Sequence, residues 1–97
     1  MAVDLLDNRL ALASHMGAER TVNTSTEALQ GSVAAWTDGE GPTVIVEATG
    51  VGSLVRAAVD LVAAAGTVIV VGISNDEVPL SVATFTRKEI NLSLIHI

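Results

Sequence analysis

The segment Thr67-Val68-Ile69-Val70-Val71 runs without any alternation of polar and apolar side chains. Successive residues of a strand point to opposite faces, so this strand offers apolar groups to both. Such a strand belongs inside a sheet covered on both sides, the usual setting of parallel strands joined by crossover helices. That requirement excludes a half-solvated hairpin or meander and directs attention to the helices that supply the cover.

The flanking sequence provides them. Ala2-Val3 reads as the end of a strand, and Asp7 is expected to cap a helix that runs to about Met16 and stops at Gly17. Leu10, Ala13 and Met16 form its inward stripe. Arg20 to Asn23 is a short strand. Thr24-Ser25-Thr26-Glu27 has the form of a capping box, which predicts a second helix continuing to about Trp36. The turn Thr37-Asp38-Gly39-Glu40-Gly41-Pro42 leads into a strand over Thr43 to Ala48. Ser53 is expected to cap a third helix whose apolar face is Leu54, Ala58, Leu61, Val62 and Ala65. Gly66 ends that helix, and Gly72 closes the strand after it. Val78-Pro79-Leu80 is extended, because a residue before proline avoids the helix. Val82 to Lys88 forms a helical turn, and a last strand starts at Ile90. Strands and helices thus alternate, which implies right-handed crossovers and an α/β, doubly wound parallel sheet of the Rossmann type.

Composition fits this design and removes some functions. Hydrophobic residues make up 49% and aromatic residues 2%, so the core must be built from Val, Leu, Ile and Ala. The formal charge of −6 disfavours phosphate-rich partners, so no nucleic acid is expected. No cysteine is present, which removes disulfides and thiolate metal sites. The longest apolar run, Leu61 to Ile73, is broken by Gly66 and Gly72 and is too short to span a bilayer. The start of the chain carries no signal segment. The expectation is a cytoplasmic protein with no membrane partner.

Candidate functional residues lie at strand ends. Asp4 stands where an apolar strand stops and a helix is about to begin. In a dinucleotide-binding fold an acid there accepts hydrogen bonds from the adenosine ribose hydroxyls, and it repels a 2′-phosphate. An aspartate is equally at home as the first residue of a plain loop. Arg9, five residues on, either reaches the ribose or is a solvated helix residue. Ala48-Thr49-Gly50-Val51-Gly52 follows another strand, where ligands of open α/β sheets bind; it also serves as a tight turn without a ligand. Val71-Gly72-Ile73 is a strand end of the same kind. Glu47 lies in an otherwise apolar strand and reads as a partnered buried acid with no catalytic partner. His15 and His96 are lone histidines with structural roles, Ser14-His15 lacks the third group of a hydrolase triad, and Trp36 is a packing residue at a helix end.

Together these segments resemble a known family. Val3-Asp4-Leu5-Leu6-Asp7-Asn8-Arg9, closing with Met16-Gly17-Ala18-Glu19, is similar to the second strand and following helix of zinc-type medium-chain dehydrogenases. Val44-Ile45-Val46-Glu47-Ala48-Thr49-Gly50 resembles their next strand and cofactor loop. Gly66 to Gly72 and Arg87-Lys88-Glu89-Ile90-Asn91-Leu92 resemble their last two strands. Alcohol, polyol and sugar-acid dehydrogenases are the most similar members. The resemblance covers residues 1–92, an incomplete NAD-binding Rossmann domain, with a divergent tail over 93–97.

The resemblance implies an oxidoreductase that transfers a hydride between an alcohol and NAD, with zinc polarising the alcohol oxygen. It implies that Asp4 binds the adenosine ribose with Arg9 assisting, that Leu5, Thr49 and Val51 line the adenine and ribose pocket beside Gly50, and that Val71, Gly72 and Ile73 lie along the nicotinamide. The zinc ligands and catalytic residues are expected outside this chain, which alone is expected to be inactive, and the complete enzyme is expected to be a homo-oligomer acting on a small-molecule alcohol. The sequence departs from the family pattern in three ways. The first strand with its Gly-rich phosphate loop, expected ~20 residues before Asp4, is absent. Pro42-Thr43 replaces the usual Ala-Asp, and Ser93 to Ile97 does not continue the family pattern. Two other readings stay open: an S-adenosylmethionine-dependent methyltransferase, which also holds ribose with an acid after its second strand, and a non-catalytic nucleotide-binding module.

Overall fold

In the computed structural model, residues 1–71 and 77–95 are described. The elements follow the expected alternation: β1 (Ala2–Asp4), α1 (Asp7–His15), β2 (Thr21–Asn23), α2 (Leu29–Trp36), β3 (Val44–Glu47), α3 (Gly52–Leu61), β4 (Thr67–Val71), α4 (Val82–Lys88) and β5 (Asn91–Ile95). All strand pairing is parallel. The chain divides into two compact units, Met1–Trp36 and Thr37–Ile97.

In the first unit β1 pairs with β2 in a two-stranded sheet, Val3 opposite Val22 and Asp4 opposite Asn23. Val22 is fully buried, and Leu10 of α1 is also buried. The expected inward stripe of α1 holds at Leu10 and weakens along the helix: Ala13 is half-buried and Met16 is 78% exposed. Asp7 does not cap α1. Leu6 occupies that position without a side-chain cap, and the Asp7 carboxylate instead accepts a hydrogen bond from Asn23 Nδ2 at 2.8 Å.

The capping box is also replaced. Asn23 Oδ1 takes the Ser25 N–H at 2.9 Å, and its carbonyl takes the N–H groups of Thr26 and Glu27 at 3.1 and 2.9 Å. Glu27 pairs with Arg20 at 2.8 Å rather than reaching back to Thr24. These local bonds hold Thr24 to Glu27 as a turn, and α2 starts only at Leu29. Its final residue, Trp36, is 43% exposed, so the expected packing role is only half realised.

In the second unit the order is β3-β4-β5, with β4 in the centre. Register places Ile45, Val68 and Leu92 side by side, followed by Glu47, Val70 and Leu94. Val68 is fully buried under α3, in a core of Ala58, Val59, Val62 and Ile90 against which Ile45, Val70, Leu80 and Phe85 pack. At about 25 cal/mol per Å² of apolar area, each of the fully buried Val59, Val62 and Val68 contributes roughly 1.5–3 kcal/mol relative to exposure. On the opposite face of the sheet Ile69 and Val71 are half-buried, while Val44, Val46 and Ile95 are 56%, 60% and 45% exposed. Among the described residues the expected cover is therefore met on one face, and there over β3 and β4 only, since Leu92 and Leu94 of β5 are 37% and 67% exposed.

The buried face of α3 keeps Ala58 and Val62 of the expected one and takes Val55 and Val59 in place of Leu54, Leu61 and Ala65. Val55, Ala58, Val59 and Val62 are buried, and Leu54 is 41% exposed. Leu54 and Val55 are both apolar, so periodicity did not fix which of them faces the sheet. Val51 rather than Ser53 is the N-cap, and the helix ends at Leu61, four residues before Ala65, whose φ of 61° is left-handed. The segment after it is stitched down by Ala63 N–H to the Pro42 carbonyl at 2.8 Å and Thr67 N–H to the Thr43 carbonyl at 2.9 Å.

Candidate cofactor-binding residues at the strand ends

The first unit presents Asp4 at the carboxyl end of β1. Its Oδ1 accepts the N–H groups of Leu5 and Leu6 at 2.7 and 3.1 Å. Its Oδ2 lies 4.0 Å from Arg9 Nη1, with the Asp4 side chain 31% exposed and that of Arg9 69% exposed. One carboxylate oxygen is thus fixed by the backbone entering α1, and the other faces a cation with acceptor capacity left over. An ion pair so exposed contributes about 0–1 kcal/mol of stability, so its geometry matters more than its strength.

Asn23, across the register from Asp4, holds this corner in place. Its amide donates to the Leu5 carbonyl at 3.2 Å as well as to Asp7. It thus ties the segment after β1 to the end of β2 through two groups, the Leu5 carbonyl and the Asp7 carboxylate, while its Oδ1 holds its own turn at Ser25. The sequence reading missed Asn23; its position three residues after Arg20 in a short strand gave no sign that it faces Asp7. Leu5 is 64% exposed beside Asp4, available to a ligand surface.

The second unit brings Glu47, Thr49, Gly50 and Val51 together at the carboxyl end of β3. Glu47 is 7% exposed. Its Oε1 accepts from Thr49 N at 2.9 Å and from the Thr49 hydroxyl, and its Oε2 accepts from Gly50 N at 3.0 Å. Val51 N donates to Thr49 Oγ1 at 3.1 Å. Gly50 is buried with φ of 71°, a left-handed conformation that glycine adopts without penalty. The expected partner of Glu47 is therefore its own loop. Val71 ends β4 opposite Ile95 and is half-buried. Gly72, Ile73 and His96 lie outside the described residues, and His15 is exposed at the end of α1.

Chemically, the Asp4 carboxylate in the first unit keeps acceptor capacity for a hydroxyl group, whereas the Glu47 carboxylate in the second is occupied by its own loop. Among the described residues no group of three or more His, Cys, Asp or Glu side chains comes close enough to hold a metal ion, so the described residues do not fit a zinc site. Among the same residues no helix is long and apolar enough to cross a membrane.

Comparison with known proteins extends the picture. The family model described as zinc-binding dehydrogenase matches residues 1–97. A D-xylulose reductase from Scheffersomyces stipitis is 31% identical over 93 residues, 95% of this chain and 25% of that protein. Alcohol dehydrogenase TADH from Thermus sp. ATN1 superposes with a TM-score of 0.92 at 28% identity, covering 99% of this chain and 28% of its own. A short chain alcohol dehydrogenase from E. coli CFT073, complexed with the cofactor NADH, gives a TM-score of 0.85 at 29% identity over 95% of this chain and 27% of its own. The chain spans about a quarter of the length of the curated relatives it matches.

Proposed function

The chain belongs to the zinc-binding dehydrogenase family, and from that premise we propose that it forms part of the NAD-binding domain of an enzyme that oxidises an alcohol of the polyol or sugar class. The observation that carries this reading is Asp4, at the carboxyl end of a parallel strand, with one oxygen anchored by Leu5 and Leu6 and the other held beside Arg9. A carboxylate presented in that way accepts from a vicinal diol such as the adenosine ribose, and its charge disfavours a 2′-phosphate.

Asp4 and Arg9 would orient the adenosine end, with the exposed Leu5 beside it. Thr49, Gly50 and Val51 would receive the ribose region, and Val71 would border the nicotinamide. Bound nicotinamide supplies the hydride acceptor. The polyol and sugar class is supported by the likeness to a D-xylulose reductase, and NAD by the likeness to a structure solved with NADH. Family membership also removes the support for a methyltransferase. The residues of this chain are assigned binding and orientation; proton transfer and metal ligation fall to no residue described here.

The test is a titration of NAD against the full-length enzyme together with a screen of polyols and sugar alcohols for NAD reduction. Saturable NAD binding with turnover of at least one such alcohol is expected. Absence of both NAD binding and turnover would refute the reading.

A further inference from the structure

Glu47 is a buried charged side chain in a strand whose other residues are apolar. Burying a carboxylate is costly unless its oxygens are hydrogen-bonded, and here three donors converge on it. All three come from the loop that the proposed function assigns to the cofactor. The consequence concerns the Thr49 hydroxyl. A threonine hydroxyl has one hydrogen and two lone pairs. The hydrogen is committed to Glu47 Oε1, and one lone pair takes the Val51 N–H at 3.1 Å. What Thr49, an exposed residue, has left is a single acceptor lone pair.

We infer that Glu47 is a positioning residue that fixes the polarity of Thr49, making it an acceptor that recognises a hydrogen-bond donor of the cofactor. The inference rests on the NAD reading and sharpens it: the cofactor group seated at Thr49 is a ribose hydroxyl acting as donor. An unconstrained hydroxyl rotates and accepts or donates as its partner requires. Tied to a carboxylate that only accepts, it is ordered in advance, which lowers the ordering cost of binding. Glutamine in place of Glu47 would turn an N–H group toward the Thr49 or Gly50 N–H, so the loop could not keep all three bonds.

The test measures KM and kcat for NAD in the full-length enzyme and in Glu47→Gln, Thr49→Val and Thr49→Ser, with a melting temperature for each. Glu47→Gln and Thr49→Val are expected to raise the KM for NAD about ten-fold, with the effect on KM rather than kcat, as loss of one binding hydrogen bond requires. Thr49→Ser, which restores the hydroxyl, is expected to recover most of that loss. Two cofactor analogues locate the donor, one lacking a ribose hydroxyl and, as the control, one with an acetyl group in place of the carboxamide. The wild type should discriminate against the analogue without the ribose hydroxyl, and Thr49→Val should bind that analogue and NAD alike. A Thr49→Val enzyme with wild-type KM, or one that retains full discrimination against that analogue, would overturn the inference while leaving NAD binding intact. A wild-type enzyme that does not bind NAD would overturn the parent reading as well.

Discussion

The Lys88 ammonium sits 2.9 Å from the carbonyl oxygens of both Asp60 and Val62. Those carbonyls belong to the end of α3, where no further turn of helix satisfies them. A cation there also complements the negative end of the helix dipole. Lys88, the last residue of α4, therefore closes a helix that precedes it by more than a strand. Lys88→Met keeps the aliphatic stem and removes both bonds. With the side chain half-buried, the expected loss is about 1–2 kcal/mol, below the sum of two fully buried charged hydrogen bonds. Chemical denaturation of the variant and the wild type measures it; an unchanged midpoint would remove Lys88 from the account of α3.

Gly66 lies where backbone meets backbone. A β-carbon there would stand 2.7 Å from Val62 Cγ2, 2.8 Å from the Ala63 carbonyl oxygen and 2.9 Å from the Thr43 carbonyl oxygen. Two of the three neighbours are main chain and cannot swing aside. Gly66→Ala is expected to destabilise by about 1–3 kcal/mol through overpacking. Thermal melting checks this, and the loss should appear without any change in cofactor preference.

The order of elements was legible because β4 carries apolar residues on successive positions and the helices between strands are Ala-rich. Parallel pairing followed from the same pattern. Two of the local errors trace to one side chain, Asn23, which took over groups that the expected caps would have satisfied. Asn23 captured the N–H of Ser25 and the carboxylate of Asp7, which displaced both the capping box and the Asp7 cap. In α3 the adjacent Leu54 and Val55 left the buried face ambiguous until packing chose Val55. Of the candidate site, Asp4 and the Thr49-Gly50-Val51 loop were visible as strand ends. The grip of Glu47 on that loop was not, because a single acid in a strand does not disclose its partner. Asn23 and Lys88 were silent for the same reason.

Gly50 provides a test of backbone conformation. Its φ of 71° costs an ordinary L-residue about 1–2 kcal/mol, whereas asparagine tolerates it better. Gly50→Val is expected to raise the KM for NAD several-fold more than Gly50→Asn does, because a β-branched residue cannot hold the loop in this conformation. Steady-state kinetics on the full-length enzyme, paired with melting curves, checks the order. Equal KM values for the two variants would show that the loop conformation is not what the cofactor reads.

In the proposed reading the Asp4 corner selects NAD over NADP. The measurement is kcat/KM for NAD and for NADP in the full-length enzyme and in a variant carrying Asp4→Ser with Leu5→Arg, which exchanges the carboxylate for a hydroxyl and places a cation beside it. Loss of hydrogen bonds to a charged group at this partly exposed site predicts a fall in the NAD-to-NADP ratio of about ten- to a hundred-fold. A ratio that stays at the wild-type value, in a variant with an unchanged melting temperature, would contradict the assignment of Asp4 to the ribose.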